Sequence, residues 1–192
     1  MITLRHEIKF QIDALEHQVL QKKLLTVLKP DPNMKPKDYY NVRTLYFDDF
    51  QDTALQEKEA GLYRRKKYRL RIYNHTDSVI KFECKRKFGP YVYKETTRIT
   101  REEANQLILG DYSSIAKSNV RILNDFYLES RYKLLRPVVI VEYERQAFIH
   151  SIGNVRITFD TSLRTGYDVA SFFDGNLPLM TAFNQSGIIL EV

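Results

Sequence analysis

Alternation of hydrophobic and polar positions predicts a protein built mainly from β-strands. In the segment Thr3–Ile12, apolar residues such as Ile8 and Phe10 fall on one side and charged residues fall on the other, a two-residue period typical of a strand. The same period, or enrichment in aromatic and β-branched residues, predicts further strands. They cover Tyr39–Asp48, Tyr63–Tyr73, Val79–Phe88, Tyr91–Thr100, Pro137–Ile149, Asn154–Asp160 and Gly187–Val192.

Helical signals are fewer and lie between these strands. Asp13 is a suitable N-cap, and Thr100 with Glu103 has the spacing of a capping box. The stretch Lys29–Lys37 contains three prolines, which end the first helix, and 164–186 is a loop with Gly, Asp and Asn. Helix is predicted from Asp13 to Leu28, before Gly61, from Thr100 to Leu109 and between Ser113 and Leu135. The class is therefore α+β with a dominant antiparallel sheet.

The polar sides of several predicted strands carry a charge at almost every second position. Lys67, Arg69 and Arg71 share one side of a strand whose other side is aromatic and aliphatic. Neighbouring rows of cations repel each other by about 1 to 4 kcal/mol per close pair. A strand side with this much positive charge therefore requires an explanation. Comparable rows are Arg5, Glu7 and Lys9; Lys81, Glu83, Lys85 and Lys87; Lys94 and Arg98; and Arg156, Thr158 and Asp160.

Two interpretations of these rows remain open. For any single strand, a solvated outer side with interspersed glutamates is sufficient. Recurrence in four or five strands favours a surface that binds a multivalent anion, because Arg offers a fork of donors matched to phosphate and Lys a compact charge. If the sheet closes into a barrel, the charges would line its interior and the apolar sides would lie under the helices.

Composition agrees with an anionic partner and an intracellular protein. The chain has 192 residues, 30 Lys and Arg against 24 Asp and Glu, and a formal charge of +6. Its single cysteine, Cys84, excludes an internal disulfide and a thiolate zinc cluster, and its place on an apolar side predicts a core residue. No stretch approaches the ~20 apolar residues of a membrane span. We therefore expect a cytoplasmic protein without a membrane segment.

The first strand introduces a resemblance to a known family. Residues 5–10 read RHEIKF, which resembles the R-x-E-x-K-aromatic motif of the VTC domain, the polyphosphate polymerase domain of the vacuolar transporter chaperone complex. That family is part of the triphosphate tunnel metalloenzymes, which are related to the CYTH proteins and usually carry E-x-E-x-K at this strand. Arg5 in place of the first glutamate favours the VTC branch over the adenylyl cyclase and thiamine triphosphatase branches.

Further matches follow in the family's order through nearly the whole chain. Each alone is weak, but their order and spacing are specific. Beyond Val192 the resemblance places a lysine, so the chain either lacks that phosphate contact or is truncated. The matching segments are LYFD at 45–48, KYRLRIY at 67–73, FECK at 82–85, VEYER at 141–145, VRITFD at 155–160 and LEV at 190–192.

The resemblance implies a single domain over residues 1–192, folded as a closed antiparallel eight-stranded β-barrel with a charged interior and flanking helices. It implies a metal-dependent transferase that moves the terminal phosphoryl group of ATP to a polyphosphate chain, with Mn²⁺ or Mg²⁺ as cofactor. A hydrolase of triphosphates with the same fold and a non-catalytic polyphosphate-binding module remain alternatives. Nucleic acid is not expected as a partner, because no RRM or KH motif is present.

Candidate site residues follow from the charged rows and the matched motifs together. A phosphoryl-transfer transition state requires mainly alignment and charge neutralisation, so cations are the first candidates. Glu191 and then Glu7 are candidate metal ligands, although pairing with neighbouring lysines is an alternative role for both. We also expect that replacing Arg69 and Arg71 by alanine abolishes triphosphate binding without unfolding, since repulsion is relieved. The catalytic candidates are Lys9, Arg69, Arg71, Lys85 and Arg145, and the phosphate-binding set adds Lys67, Tyr143 and Arg156.

Overall fold

The strands of the protein belong to one antiparallel sheet. The structure, a computed structural model, describes residues 4–150, 152–182 and 187–192. The predicted α+β class with a dominant antiparallel sheet is confirmed. Within the described residues the strands are β1 (Arg5–His6), β2 (Lys9–Ile12), β3 (Lys29–Pro30), β4 (Tyr40–Asp48), β5 (Arg64–Tyr73), β6 (Thr76–Phe88), β7 (Tyr91–Ile99), β8 (Arg136–His150), β9 (Val155–Gly166), β10 (Met180–Thr181) and β11 (Ile188–Glu191).

Four α-helices accompany the sheet in the described part of the chain: α1 (Ala14–Val27), α2 (Thr53–Glu59), α3 (Arg101–Ile108) and α4 (Arg121–Lys133). The predicted caps are confirmed. Asp13 accepts from the N–H of Glu16 at 2.8 Å, and Thr100 accepts from the N–H of Glu103 at 3.1 Å. The predicted helix within 113–135 is shorter, because a 3₁₀ turn precedes α4. Within the described ranges, no helix has the length and apolar character that a membrane span requires.

The N-terminal segment reaches both ends of the sheet. The strand order is β1-β7-β6-β5-β4-β8-β9-β11-β2, with β3 beside β8 and β10 beside β9. Only Glu7 and Ile8 separate β1 from β2, and Ile8 exchanges two backbone hydrogen bonds of 2.9 Å with Val192. The predicted continuous strand Thr3–Ile12 is thus wrong, because its pairing passes from β7 to β11 at this point; Thr3 lies outside the described residues. The path has nine strands, or eight when β1 and β2 are counted together, and within the described residues its two end strands are not paired with each other, so the expected closed barrel is not confirmed.

The strand β9 is longer than predicted. It was expected to end at Asp160 and to be followed by a loop from Arg164, but pairing with β8 continues to Gly166. Ser162, with φ of 53°, forms an irregularity that shifts the register and lets pairing resume. The remaining loop contains a 3₁₀ turn and β10, and its residues 183–186 lie outside the described residues.

The apolar side of the sheet packs beneath the helices. Phe126 of α4 lies with its ring centroid 5.1 Å from that of Phe47 and 5.0 Å from those of Tyr68 and Phe82. Cys84 is fully buried in this cluster, where burial raises the pKa of its thiol to about 11, so the prediction of a core cysteine is confirmed. A second cluster lies beneath α1. Because alternate residues of a strand point to opposite sides, the charged rows face away from these helices.

Candidate functional site

The predicted site residues share the side of the sheet that faces away from the helices. Residues directly opposite each other in an antiparallel sheet project to the same side. Tyr46, Arg69, Glu83 and Thr96 are such neighbours across four strands, as are Lys67, Lys85 and Lys94 across three. On the other half of the sheet the same side carries Tyr143, Arg145, Arg156, Asp160, Glu191 and Lys9.

Glu83 is the centre of the first charged cluster on this side. Its side chain is completely buried, and its carboxylate lies 2.6 Å from Nη2 of Arg69, 3.7 Å from Nη1 of Arg71 and 3.1 Å from Nζ of Lys94. Burial opposes ionisation of Glu83, but Arg71, Arg69 and Lys94 outweigh it and lower the pKa of the carboxyl to about 2. The rows of cations are therefore held together by a permanently ionised carboxylate.

This arrangement changes the expected effect of removing the two arginines. The sequence predicts that Arg69→Ala with Arg71→Ala relieves repulsion and leaves the fold intact. In the structure, Glu83 already neutralises part of that repulsion. Removal of Arg69 and Arg71 would leave the buried carboxylate of Glu83 with Lys94 as its remaining partner. An unpaired buried charge is strongly destabilising, so the premise of that prediction is wrong.

Acid should weaken the protein through Glu83. The pKa of its carboxyl is about 2 in the folded chain and near the usual 4.5 when unfolded, so its contribution is fully present above pH 4.5 and is lost as the pH falls toward 2. The difference corresponds to about 3 kcal/mol. We expect the gap in unfolding free energy between the unaltered protein and Glu83→Gln, measured with urea, to shrink by about this amount between pH 6 and pH 2.5. A gap that stays constant would contradict the assignment.

A second cluster surrounds Lys9. Its Nζ lies 2.9 Å from Oε2 of Glu191 and 3.6 Å from Oε1 of Glu7, while Nζ of Lys85 donates to Oε2 of Glu7 at 2.6 Å. Burial opposes ionisation of Glu191, but Lys9 and Arg145 lower the pKa of its carboxyl to about 2. The contact between Lys85 and Glu7 connects β6 with the segment that joins β1 to β2.

Arg145 lies beside this second cluster and is fixed on three sides. Its Nε and Nη2 each donate to the carboxylate of Asp160 at 2.6 Å, and Nη2 is 3.7 Å from Glu191. Its guanidinium lies 5.1 Å from the ring centroid of Tyr143, within cation–π range. The paired carboxylate and the ring together hold the guanidinium in one orientation, which is what recognition of a planar or tetrahedral oxyanion requires.

Arg156 is paired with an acid that the sequence analysis did not consider. Its Nη2 lies 2.8 Å from Oδ2 of Asp31 and donates to the hydroxyl of Tyr40 at 2.8 Å. Asp31 is buried and precedes a 3₁₀ turn whose Met34 packs against Tyr40. The apolar cluster around Met34 includes Val42, Tyr143 and Ala147 on the charged side of the sheet. The expected uniformly charged side thus has an apolar sector on β4 and β8.

Sequence reasoning missed the roles of three residues on this side. Glu83 was placed in a charged row but not in the site, Tyr46 was only part of a matched motif, and Asp31 was assigned to a proline-rich break. Their partners lie on other strands, so strand period alone does not identify them. For Tyr46, its position within the matched LYFD segment was the available signal.

A further buried charge cluster lies on the opposite side of the sheet. Nε of Arg43 donates to Glu142 at 2.5 Å, Nη2 of Arg164 donates to it at 2.6 Å, and Nε2 of His75 lies 3.0 Å away. Arg43 also donates to the carbonyl of Phe172 at 3.0 Å. This cluster fastens the loop after β9 onto the sheet and is separated from the candidate site by the sheet itself.

The acids of the site fit a metal ion that arrives with phosphate. In the part of the chain that the structure describes, no group of three or more His, Cys, Asp or Glu is arranged to hold a metal ion. The predicted ligands Glu7 and Glu191 meet only through Lys9, which contacts both. Mg²⁺ is commonly held by one or two carboxylates together with substrate phosphates. Two carboxylates are sufficient for a metal site that substrate phosphates complete. They are not sufficient for a site in which the protein supplies every ligand.

Comparisons with known proteins identify a matching sequence family and similar folds. The family model of the VTC domain matches residues 4–192. A candidate adenylate cyclase from Bacillus halodurans has a similar structure, with a TM-score of 0.60 and 12% identity over 99% of this chain and 80% of that one. A second candidate adenylate cyclase, from Vibrio parahaemolyticus, has a TM-score of 0.47 and 14% identity over 98% of this chain and 76% of that one. No curated protein sequence matches significantly. At such identities the structural likeness concerns the fold alone.

Proposed function

The chain belongs to the VTC domain family, and on that premise we propose that it is a metal-dependent polyphosphate polymerase. It transfers the terminal phosphoryl group of ATP to the end of a polyphosphate chain and releases ADP. The observation that carries the proposal is the convergence of Lys9, Lys85 and Arg145 on Glu7 and Glu191, from strands far apart in the sheet order. Such a concentration of oriented cations suits a multivalent phosphate ligand.

We propose further that the sheet closes into an eight-stranded barrel around this ligand. Two contacts of the segment between β1 and β2 support closure: Ile8 pairs with Val192, next to β11, and Glu7 pairs with Lys85 on β6. β1 pairs with β7 and β2 with β11, so one short segment is bound to both ends of the strand path. A polyphosphate chain would then lie inside the barrel, surrounded by cations and shielded from water.

The roles of the cations follow from their positions. Arg69 and Arg71 would hold one end of the phosphate chain beside Lys67, and Lys9, Lys85 and Arg145 would hold the reacting end. Arg156 would join them by exchanging Asp31 for phosphate, and Tyr143 orients Arg145 by its ring. Because the transition state is loose, with charge spread over the phosphoryl oxygens, alignment and neutralisation by these fixed groups are the main contributions to rate.

Glu191, and Glu7 as the second candidate, would hold Mn²⁺ or Mg²⁺. When bound, the ion neutralises charge on phosphate oxygens and helps to align donor and acceptor. Both carboxylates already lie beside Lys9, so Lys9 would keep their orientation when the substrate enters. We place the reaction in the cytoplasm, where ATP is abundant.

The products of ATP test the proposal. Incubation with ATP radiolabelled at the γ-phosphate and Mn²⁺, followed by gel electrophoresis, should give labelled polyphosphate whose length increases with time. Orthophosphate without chain growth would instead indicate a hydrolase of triphosphates with the same fold, because water then replaces polyphosphate as the acceptor. Neither product, in a protein that still binds tripolyphosphate, would indicate a binding module without catalysis.

A matched variant connects the activity to the site. Lys9→Ala should abolish chain growth, whereas Lys23→Ala, which removes the same charge from an exposed position on α1, should leave it unchanged. Equal loss in both variants would contradict the assignment of Lys9.

A further inference from the structure

Tyr46 lies in the middle of the cationic side of the sheet. It is directly opposite Arg69 on β5, and the neighbouring positions of that strand on the same side are Lys67 and Arg71. Its ring is half-buried, and the positive charges of Arg69, Arg71 and Lys67 lie close enough to its hydroxyl to favour the phenolate. The phenol oxygen therefore sits among the groups proposed to bind phosphate.

In the part of the chain that the structure describes, the hydroxyl proton of Tyr46 has no protein acceptor, in contrast to those of Tyr68 and Tyr112. Tyr68 donates to Glu129, and Tyr112 donates to the carbonyl of Leu135 at 2.7 Å. Among the hydrogen bonds of the described residues, none is donated by the Tyr46 hydroxyl to a carboxylate or a carbonyl oxygen. Arginine and lysine side chains are donors only, so its three cationic neighbours offer no acceptor. An anionic ligand held by the same cations would supply one.

We propose that Tyr46 is a phosphate ligand, which donates its hydroxyl proton to an oxygen of the phosphate chain held by Arg69 and Arg71. This inference rests on the proposed function and extends it to a residue with no charge at neutral pH. The interaction is a charge-assisted hydrogen bond from a neutral donor, which is a strong class of contact. It would also fix the register of the chain, since a hydroxyl donates in one direction only.

The same surroundings make this ligand sensitive to alkali. Burial disfavours the phenolate, but Arg69, Arg71 and Lys67 outweigh burial and lower the pKa of the Tyr46 hydroxyl to about 8. Above that pH the side chain loses its donor and adds a negative charge next to the phosphate, so binding weakens by up to about tenfold per pH unit. The charged or titratable groups that face it are Lys67, Arg69 and Arg71 on β5, Glu83 on β6 and Tyr143 on β8.

Calorimetric titration with inorganic tripolyphosphate tests the proposal. At pH 7 we expect Tyr46→Phe to bind about tenfold more weakly than the unaltered protein. Between pH 7 and pH 9.5 the affinity of the unaltered protein should fall at least tenfold more than that of Tyr46→Phe, because the variant has no phenol to ionise here. The ionisation of tripolyphosphate itself changes the affinity of both proteins equally, so it cancels in the comparison between them.

Ultraviolet absorbance gives an independent measurement. Tyrosinate absorption at 295 nm should rise near pH 8 in the unaltered protein and in Tyr132→Phe, which changes an exposed phenol on α4, but not in Tyr46→Phe. Saturating tripolyphosphate should move that rise to higher pH. Equal affinity and equal pH dependence of Tyr46→Phe and the unaltered protein would overturn the role of Tyr46 alone. Absence of tripolyphosphate binding by the unaltered protein would overturn the proposed function with it.

Discussion

Tripolyphosphate binding falls about a thousandfold when Arg69→Ala and Arg71→Ala are combined with Glu83→Gln. Each arginine is expected to contribute charge-assisted hydrogen bonds of about 2 kcal/mol, and about 4 kcal/mol corresponds to that loss of affinity. Glu83→Gln is included because the carboxylate would otherwise remain buried beside Lys94 alone. Lys94, whose side chain is 41% exposed, can be solvated when its partner is removed.

Calorimetry and thermal unfolding both measure this effect. At a tripolyphosphate concentration about 100 times the dissociation constant, the unaltered protein should gain about 2.7 kcal/mol and several degrees in Tm. The triple variant should gain nothing at that concentration. Lys22→Ala on α1, which also lowers the net charge by one, should behave like the unaltered protein. A triple variant that keeps its affinity within threefold would exclude Arg69 and Arg71 from the binding site.

Glu83→Gln alone lowers the free energy of unfolding by about 3 kcal/mol at pH 7. Breaking a buried ion pair by removing one partner leaves uncompensated charge, and here Arg69 and Arg71 both lose a carboxylate that is completely buried. Urea unfolding measures the loss. Exposed Glu59→Gln at the end of α2 is the control and should change the value by less than about 0.5 kcal/mol.

The variant Glu83→Gln also distinguishes the effect of guanidinium orientation on tripolyphosphate binding from the effect of net charge. Glu83→Gln makes the site more positive, so simple attraction predicts tighter binding of tripolyphosphate. Because Glu83 fixes both guanidinium groups, we expect weaker binding instead, by roughly tenfold, with part of the loss recovered in Glu83→Asp. Tighter binding by the glutamine variant would show that the carboxylate is only a counterion.

The sequence predicted which side of each strand is charged, but not which charges are partners. Strand period places Arg69 and Glu83 on polar sides, whereas their contact depends on the register between β5 and β6, which many positions far apart decide together. The pairing of Arg156 with Asp31 depends on the path of the chain after α1, where prolines indicate only that the helix ends. Local patterns therefore placed the cations on the charged side of the sheet and did not reveal Glu83 and Asp31 as partners of Arg69 and Arg156.

The apolar sector on β4 and β8 shows a second limit of prediction from the hydrophobic and polar pattern. Val42 and Ala147 were read as ordinary strand residues and Tyr143 as a phosphate ligand, because no local signal distinguishes an apolar residue beneath a helix from one on the charged side. Met34 covers them from a segment predicted only as a break. By contrast, the caps of α1 and α3 were predicted correctly because a capping box is decided by residues three positions apart.

The pairing of β2 with β11 has a consequence for how the chain folds. Lys9 is paired with Glu191, so the pairing of these strands closes a loop that contains nearly the whole chain. Contacts between such distant residues slow folding, and until they form, β9 presents an unpaired edge to other molecules. We expect refolding to be slow and increasingly prone to aggregation at high concentration, with the seam between β2 and β11 as the last part to become protected from hydrogen exchange.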